Sequence, residues 1–237
     1  MKRELNLRQM HHESIANGYF EDLGTFIEQI SATFAEEYFE KNSEPSLLLT
    51  YLIRELMRNT PEHSKSDVVS VTLNVLDHNE QTVEFTSEDH GIGILKSLQG
   101  NMVHRKCLET DNDALPYAIK AGISKAFLPS GQNASSDPWA NSGFGLYMVS
   151  EICRKLDGSF RLESGTCGLL KEKDEKMTLY PANRQGTFVS ITFDAMKVTD
   201  SRELILETSL EGEAQAKQIR HAFKKASRPS KGLIDSI

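Results

Sequence analysis

Gln81-Thr-Val-Glu-Phe-Thr-Ser87-Glu-Asp89-His-Gly91-Ile-Gly93-Ile94 is the stretch on which the fold turns. Residues 81–87 alternate apolar and polar side chains with β-branched content, the period of two expected of a strand with one buried face. The strand runs directly into an aspartate and two glycines one residue apart. Glycine lets a backbone turn sharply and approach a flat ligand closely, so an acidic group beside an open turn is expected at the strand's end. Residues 67–76, Asp-Val-Val-Ser-Val-Thr-Leu-Asn-Val-Leu, show the same alternation, and His78-Asn79-Glu80 lies between the two runs. The pair reads as a hairpin.

Upstream, residues 19–39 place Tyr19, Phe20, Leu23, Phe26, Ile27, Ile30, Phe34 and Tyr38 at helical three-and-four spacing, with the acidic residues mostly elsewhere on the wheel. This amphipathic helix packs on the domain's own core or forms a dimer or partner surface, and the sequence leaves both readings open. After a polar break at residues 41–46, a second helix is expected, with Ser46 as N-cap and Leu47, Leu48, Leu49, Tyr51, Leu52 and Leu56 as its apolar content. Glu55, Asn59 and His63 fall four apart, so a continuous helix puts them on one face. Pro61 lies between the last two and cannot donate a helical hydrogen bond, so a kink or an ending is expected there.

Downstream, residues 95–141 lose periodicity. One short helix is expected at 114–121, followed by a Gly, Ser, Asn and Pro-rich passage at 130–138. A segment this long between regular elements is usually functional, for instance as a lid. Asn141-Ser-Gly143-Phe144-Gly145-Leu146 then opens a helix over 145–156. Strands are expected at 159–163 and 187–193, joined across a charged, solvated tip at 171–176. From about residue 197 the composition turns polar, with one more helix over 203–226 and a basic end.

The chain has 237 residues, enough for one domain with extensions or two small ones. A net charge of −7 argues against broad nucleic-acid binding, which needs a basic face. Cys107, Cys153 and Cys167 are scattered and form no Cys-x-x-Cys, so neither a disulfide framework nor a zinc site is suggested. No apolar run reaches the roughly 18 residues of a membrane span, and the first residues lack the apolar stretch of a secretory signal. A cytoplasmic protein without membrane association is expected.

A carboxylate and a carboxamide on one helix face suit metal and phosphate work, because Asn supplies a neutral hard oxygen to the near-octahedral shell of Mg²⁺. The plainer reading of the same pair is a solvated helix face. The segment from Asp89 to Gly93 has no third glycine at dinucleotide spacing, and no helix is expected to open there. No Gly-Lys-Ser/Thr occurs, so a P-loop is excluded.

Taken together, Glu55-Leu-Met-Arg-Asn59 with His63, then Asp89-His-Gly91-Ile-Gly93-Ile94, then Asn141-Ser-Gly143-Phe144-Gly145-Leu146 resemble the motifs of the GHKL superfamily. That superfamily comprises ATPases and kinases, among them DNA gyrase, mismatch-repair ATPases, heat-shock chaperones and sensor histidine kinases. The resemblance spans about residues 47–195. It implies an α+β fold, a two-layer α/β sandwich (the Bergerat fold) with helices on one face of a mixed, mostly antiparallel sheet. It also implies ATP and Mg²⁺ as cofactors. By resemblance Asn59 holds the metal, and Glu55 acts as general base or orients an acceptor side chain. His63 is either a phosphate contact or a capping or packing histidine. Asp89, with Gly91, Gly93 and Ile94, forms the box whose carboxylate accepts a hydrogen bond from the adenine amino group. An acceptor there rejects guanine, which presents a carbonyl. Gly143, Phe144, Gly145 and Leu146 match the box at the hinge of an ATP lid, where a helix N-terminus faces phosphate. Ala121-Gly122-Ile-Ser124-Lys125 resembles a passage found in lids of stand-alone members, with Lys125 either reaching a phosphate or exposed to solvent. Gly186-Thr187 resembles the last motif, in which the Thr hydroxyl supports the adenine-binding Asp.

The expected organisation is an N-terminal helical extension (1–46), an ATP-binding domain (47–196) with its lid at about 95–142, and a C-terminal helical tail (197–237). His12-Glu13 superficially resembles a phosphoacceptor motif, but the two long apolar-seamed helices of such a bundle do not fit before the helix carrying Asn59. The length leaves no room for the transducer domain of a gyrase-like machine. Three readings remain: an ATPase-like switch working through lid closure, a protein kinase acting on a partner's Ser or His in the manner of anti-sigma regulators, and a nonenzymatic ATP-gated binding module. Expected partners are ATP, a protein partner or phosphoacceptor, and a second copy through the N-terminal helix.

Overall fold

The computed structural model describes residues 2–18, 22–76, 82–127, 142–174 and 176–226. Tyr19, Phe20, the turn at 78–80, the passage at 130–138, Asn141 and the basic end lie outside the described residues. Five strands form one sheet: β1 (Lys2–Asn6), β2 (Val68–Val75), β3 (Thr82–Asp89), β4 (Ser159–Lys171) and β5 (Met177–Asp194), in the order β1-β2-β3-β5-β4. Each of their pairings is antiparallel. The helices are α1 (Leu7–Ala16), α2 (Leu23–Glu36), α3 (Glu44–Asn59), α4 (Gly93–Gln99), α5 (Met102–Arg105), α6 (Asp111–Ala118), α7 (Gly145–Lys155) and α8 (Ser201–Ala216).

The alternation read in the sequence sorts the sheet into two faces. On β3 Val83, Phe85, Ser87 and Asp89 point inward and are buried, and on β5 Val189, Ile191 and Phe193 join them. These residues meet α3 and α7, whose Leu48, Leu52, Leu56, Met148 and Ile152 complete the core. Among the described residues the outward face carries ion pairs and no second layer. Arg184 is forked between Glu88 at 2.5 Å and Glu163 at 2.8 Å, with its guanidinium 4.9 Å above the Phe188 ring. Helices on one face of an antiparallel sheet make this an α+β two-layer sandwich, as expected.

Several elements depart from expectation. Residues 2–6, assigned to a helical extension, form edge strand β1. The run Lys-Arg-Glu-Leu-Asn has no β-branched residue, so its conformation comes from pairing with β2 and not from local preference. The N-cap of α3 is Ser43, whose hydroxyl accepts from the Ser46 amide, and Pro45 follows in the first turn. The described part of the aperiodic stretch, with Gly93 and Ile94 before it, holds three short helices, α4 to α6, where one was expected. Helix α8 stops at Ala216, ten residues early; Lys224 Nζ donates to the carbonyls of Ala216 and Ile219 there, and the chain turns away toward Gly122.

The apolar stripe of α2 is used internally: Phe26, Ile27 and Phe34 are buried, and Leu23 and Ile30 pack against the same core. Of the two readings of that stripe, packing on the domain's own core is the one realised for α2. Helix α8 is tied to the N-terminus of α3 through Glu44, whose Oε2 accepts from the amide and hydroxyl of Ser201 at 2.7 and 2.6 Å.

Candidate functional site

Helix α3 carries Glu55 and Asn59 on consecutive turns and then changes pitch. Pro61 supplies no amide hydrogen, and Thr60–Ser64 forms a single π-helical turn that ends at Lys65 with φ 60°. The wider turn swings His63 away from its α-helical position, yet it still lines the same cleft as Glu55 and Asn59. It also buries Ser64, whose hydroxyl donates to the Thr60 carbonyl at 2.7 Å and whose own carbonyl accepts from the Ile92 amide at 2.8 Å. The kink anticipated at Pro61 therefore joins α3 to the glycine turn after β3.

That turn is built around Asp89. Strand parity aims the carboxylate inward, opposite Thr187 of β5. Its oxygens accept from the backbone amides of Gly91, at 2.8 Å, and Thr187. Burial pushes the Asp89 carboxyl above the usual carboxylate range, and the two amide bonds pull it partly back. Gly93 has φ +77°, and a methyl group there would lie 2.7 Å from Ser164 Oγ. That hydroxyl donates to the Gly186 carbonyl at 2.8 Å and accepts from the Ile94 amide at 3.0 Å. A helix does open here, contrary to the sequence reading: α4 starts at Gly93. Gly91 stands apart from the other residues of this box. It does not line the cleft, and a side chain on it would collide with the backbone of Ser64.

The third contributor is the N-terminus of α7. Its N-cap, Phe144, makes no capping side-chain bond and its first turn carries no acid, and Gly145 and Leu146 at this end line the cleft. Gly145 brings this helix end against the carboxylate: a methyl group on it would lie 2.8 Å from Glu55 Oε2, so a larger residue would make the Glu55 side chain shift. Gly143 takes φ +74° with its Cα against the backbone of Ile123. Phe144, expected among the binding residues, is fully buried and stands edge-on to Tyr147 in the core. It anchors α7 and does not touch the cleft. Lys125 lines the cleft, and its ammonium donates to the Glu62 carbonyl.

These segments enclose a cleft of about 970 Å³, with open solvent at its mouth included. Glu55, Asn59, His63, Asp89, Gly93, Ile94, Lys125, Gly143, Gly145, Leu146 and Thr187 all line it. The sequence reading missed Arg58, Ser87, Ser97 and Ser124 in the lining, and Ser64 and Ser164, which tie its walls together through the Ser64 carbonyl and the Ser164 hydroxyl. Arg58 and Ser124 lie inside recognised motifs but at positions given no role, Ser64, Ser97 and Ser164 stand in none, and the strand alternation that places Asp89 inward also places Ser87.

Charge is arranged unevenly within the cleft. Glu55 is buried, and its Oε1 is 3.0 Å from Arg54, which also reaches Glu28 at 3.4 Å. Arg58 pairs with Glu62 at 2.8 Å. Burial, with Lys125 and Arg58 nearby, drops the His63 pKa to about 3, so its imidazole is neutral and retains one N–H donor. Burial also lowers Lys125 from the usual lysine range. Among the described residues no cluster of His, Cys, Asp and Glu could hold a metal by itself. The half-buried Asn59 oxygen suits a Mg²⁺ ion that takes most of its shell from phosphate and water. The arrangement thus offers an acceptor for a planar base at one end, and a helix N-terminus, cations and a carboxylate at the other.

A family model described as "Histidine kinase-, DNA gyrase B-, and HSP90-like ATPase" matches residues 44–197. No curated protein matches the chain significantly.

Proposed function

Because the chain belongs to the histidine kinase-, DNA gyrase B- and HSP90-like ATPases, we propose that its cleft binds ATP with Mg²⁺ and carries out phosphoryl chemistry, coupled to movement of the 95–142 span as a lid. The observation that carries this reading is the convergence of four separated segments on one cleft. These are α3 with Glu55 and Asn59, the β3 end with Asp89, the 123–125 passage, and the N-terminus of α7. ATP binding follows from the family; the residue roles are our assignment.

Asp89 accepts from the adenine amine while Gly91 and Thr187 amides hold its carboxylate in place. The phosphates lie toward α7, where backbone amides, Lys125 and neutral His63 donate to their oxygens. Asn59 is the residue that would hold Mg²⁺, which when bound would offset the negative charge of the phosphate oxygens. An oxygen nucleophile, either water or a partner's hydroxyl, forms a bond to the γ-phosphorus. The bond from that phosphorus to the bridging oxygen of ADP breaks, and its electron pair leaves with ADP. Glu55 takes the nucleophile's proton, with Oε1 held by Arg54 and Oε2 turned toward Gly145. Phosphoryl transfer is mostly positioning and electrostatics, so water and a protein hydroxyl are served by the same site. Hydrolysis and transfer to a protein partner are two outcomes of one arrangement.

We assign residues 1–46 and 197–237 as extensions of the ATP-binding domain, and we place the protein in the cytoplasm. Among the described residues no helix is long and apolar enough to cross a membrane.

Phosphate release from ATP by the wild type and Glu55→Ala is the test. Turnover should fall by about 10²–10⁴ in the variant while ATP still binds. Radiolabel appearing on a co-purified protein would identify the kinase outcome. Equal turnover in both proteins would remove Glu55 from the chemistry, and ATP binding without any turnover in the wild type would leave a nonenzymatic, ATP-gated module.

A further inference from the structure

The family match ends at residue 197, yet the chain returns to the cleft after α8. Residues 217–226 leave the end of α8 and lie along the back of the 121–127 passage, whose Ile123, Ser124 and Lys125 form one wall of the cleft. The junction is backbone to backbone. The Phe223 amide donates to the Gly122 carbonyl at 2.8 Å, while the Gly122 amide donates to the Gly143 carbonyl at 3.1 Å. Gly122 has φ +79°, and any side chain on it would overlap the Phe223 backbone. Gly143, at φ +74°, is equally close to Ile123 on the other side. The wall is therefore clasped between the glycine motif that opens α7 and the C-terminal segment.

Side chains extend the clasp. Ala222 is buried beside Leu98, Leu108, Ala114, Ala118 and Ile123 in a small second core. Phe127 stands edge-on to Phe223, with ring centroids 5.5 Å apart. The far end of the segment is anchored to α8 by Lys224, whose ammonium donates to the Ala216 carbonyl and to that of Ile219, and by the Ala226 amide, which donates to Glu213. His221 takes φ +63°, a backbone strain that the docked arrangement sustains.

We propose that residues 217–226 are a positioning strap for the nucleotide cleft, with Phe223 as its key residue, so that strap docking and ATP affinity are thermodynamically coupled. This rests on the assignment of the cleft to ATP. The strap holds Ile123, Ser124 and Lys125 at the distance from α7 and the π turn that a nucleotide needs. By linkage, bound nucleotide must hold the strap down in the same measure.

ATP titration calorimetry with Mg²⁺ on the full chain is the first half of the test. Phe223→Ala should weaken ATP binding about tenfold, a coupling typical of such linked elements. Phe223→Leu should retain most of the affinity, and Gly122→Ala, which blocks docking sterically, should lose it. Hydrogen exchange supplies a readout that a merely structural residue would not move: saturating ATP should slow exchange of the Phe223 amide, and slow it less in Phe223→Ala. Wild-type affinity in Phe223→Ala, or a Phe223 amide indifferent to ATP, would overturn the strap and leave the ATP site standing. A wild type that binds no ATP would overturn both.

Discussion

Asp89 meets two opposed demands, and its ionisation shows them. Burial raises its pKa, so the folded protein holds this proton to higher pH than the unfolded chain does. Its contribution to stability is therefore present at low pH and lost as pH rises through the folded pKa. Asp89→Asn is expected to raise the unfolding temperature of the nucleotide-free protein at neutral pH while weakening ATP binding by at least about tenfold. A thermal melt and a titration on the same sample check both. ATP affinity of the wild type should also decline on acidification sooner than an ordinary aspartate would cause.

His63 carries the opposite sign. Its folded pKa of about 3 lies below the ordinary 6.5, so the stability it contributes is present above about 6.5 and is lost as pH falls toward 3. Replacing it with Gln should flatten the acid side of the stability profile between those values, as measured by urea midpoints across the range. The residues that touch the cleft were legible in sequence wherever chemistry and backbone freedom coincide in a short run, as at Glu55 to Asn59, Asp89 to Gly93, and Gly143 to Leu146. Ser64 and Ser164 were not legible. Each is an ordinary serine until β-pairing or the π turn brings a distant backbone to its hydroxyl or carbonyl.

Between elements, the glycine turn after β3 is fitted against the π turn after α3 by the absence of a side chain at Gly91. Gly91→Ala forces those two backbones apart and should cost about 1–3 kcal/mol, read by chemical denaturation, with ATP affinity falling as Asn59 and Asp89 separate. The stripe on α2 was ambiguous in sequence because a core face and a dimer face look alike on a helical wheel. Phe34 resolves it for this helix: it is buried under α3 and β1, with the Arg3 guanidinium 4.8 Å over its ring. Phe34→Ala should cost about 3–5 kcal/mol and leave the oligomeric state unchanged, as checked by denaturation and light scattering. Strand β1 and the early end of α8 escaped the sequence reading for one reason. Both are decided by what the ends of the chain dock onto, and neither pairing with β2 nor a clasp on Gly122 leaves a local periodicity.

At the scale of the whole molecule, an α+β sandwich presents the ends of α3, β3 and α7 at one opening, and the two chain extensions are built into it at its edges. β1 lengthens the sheet, α8 braces the N-terminus of α3 through Glu44, and the segment after α8 closes on the cleft wall. On the proposed reading this opening is an adenine nucleotide site selected by Asp89. Calorimetric titration of ATP and GTP with Mg²⁺ into the wild type and Asp89→Asn tests it most directly. ATP should bind the wild type and GTP should not, and the substitution should remove the ATP signal. Equal binding of the two nucleotides, or ATP binding undiminished in Asp89→Asn, would contradict the claim. If neither nucleotide bound, the ancestral fold would be serving here as a scaffold alone.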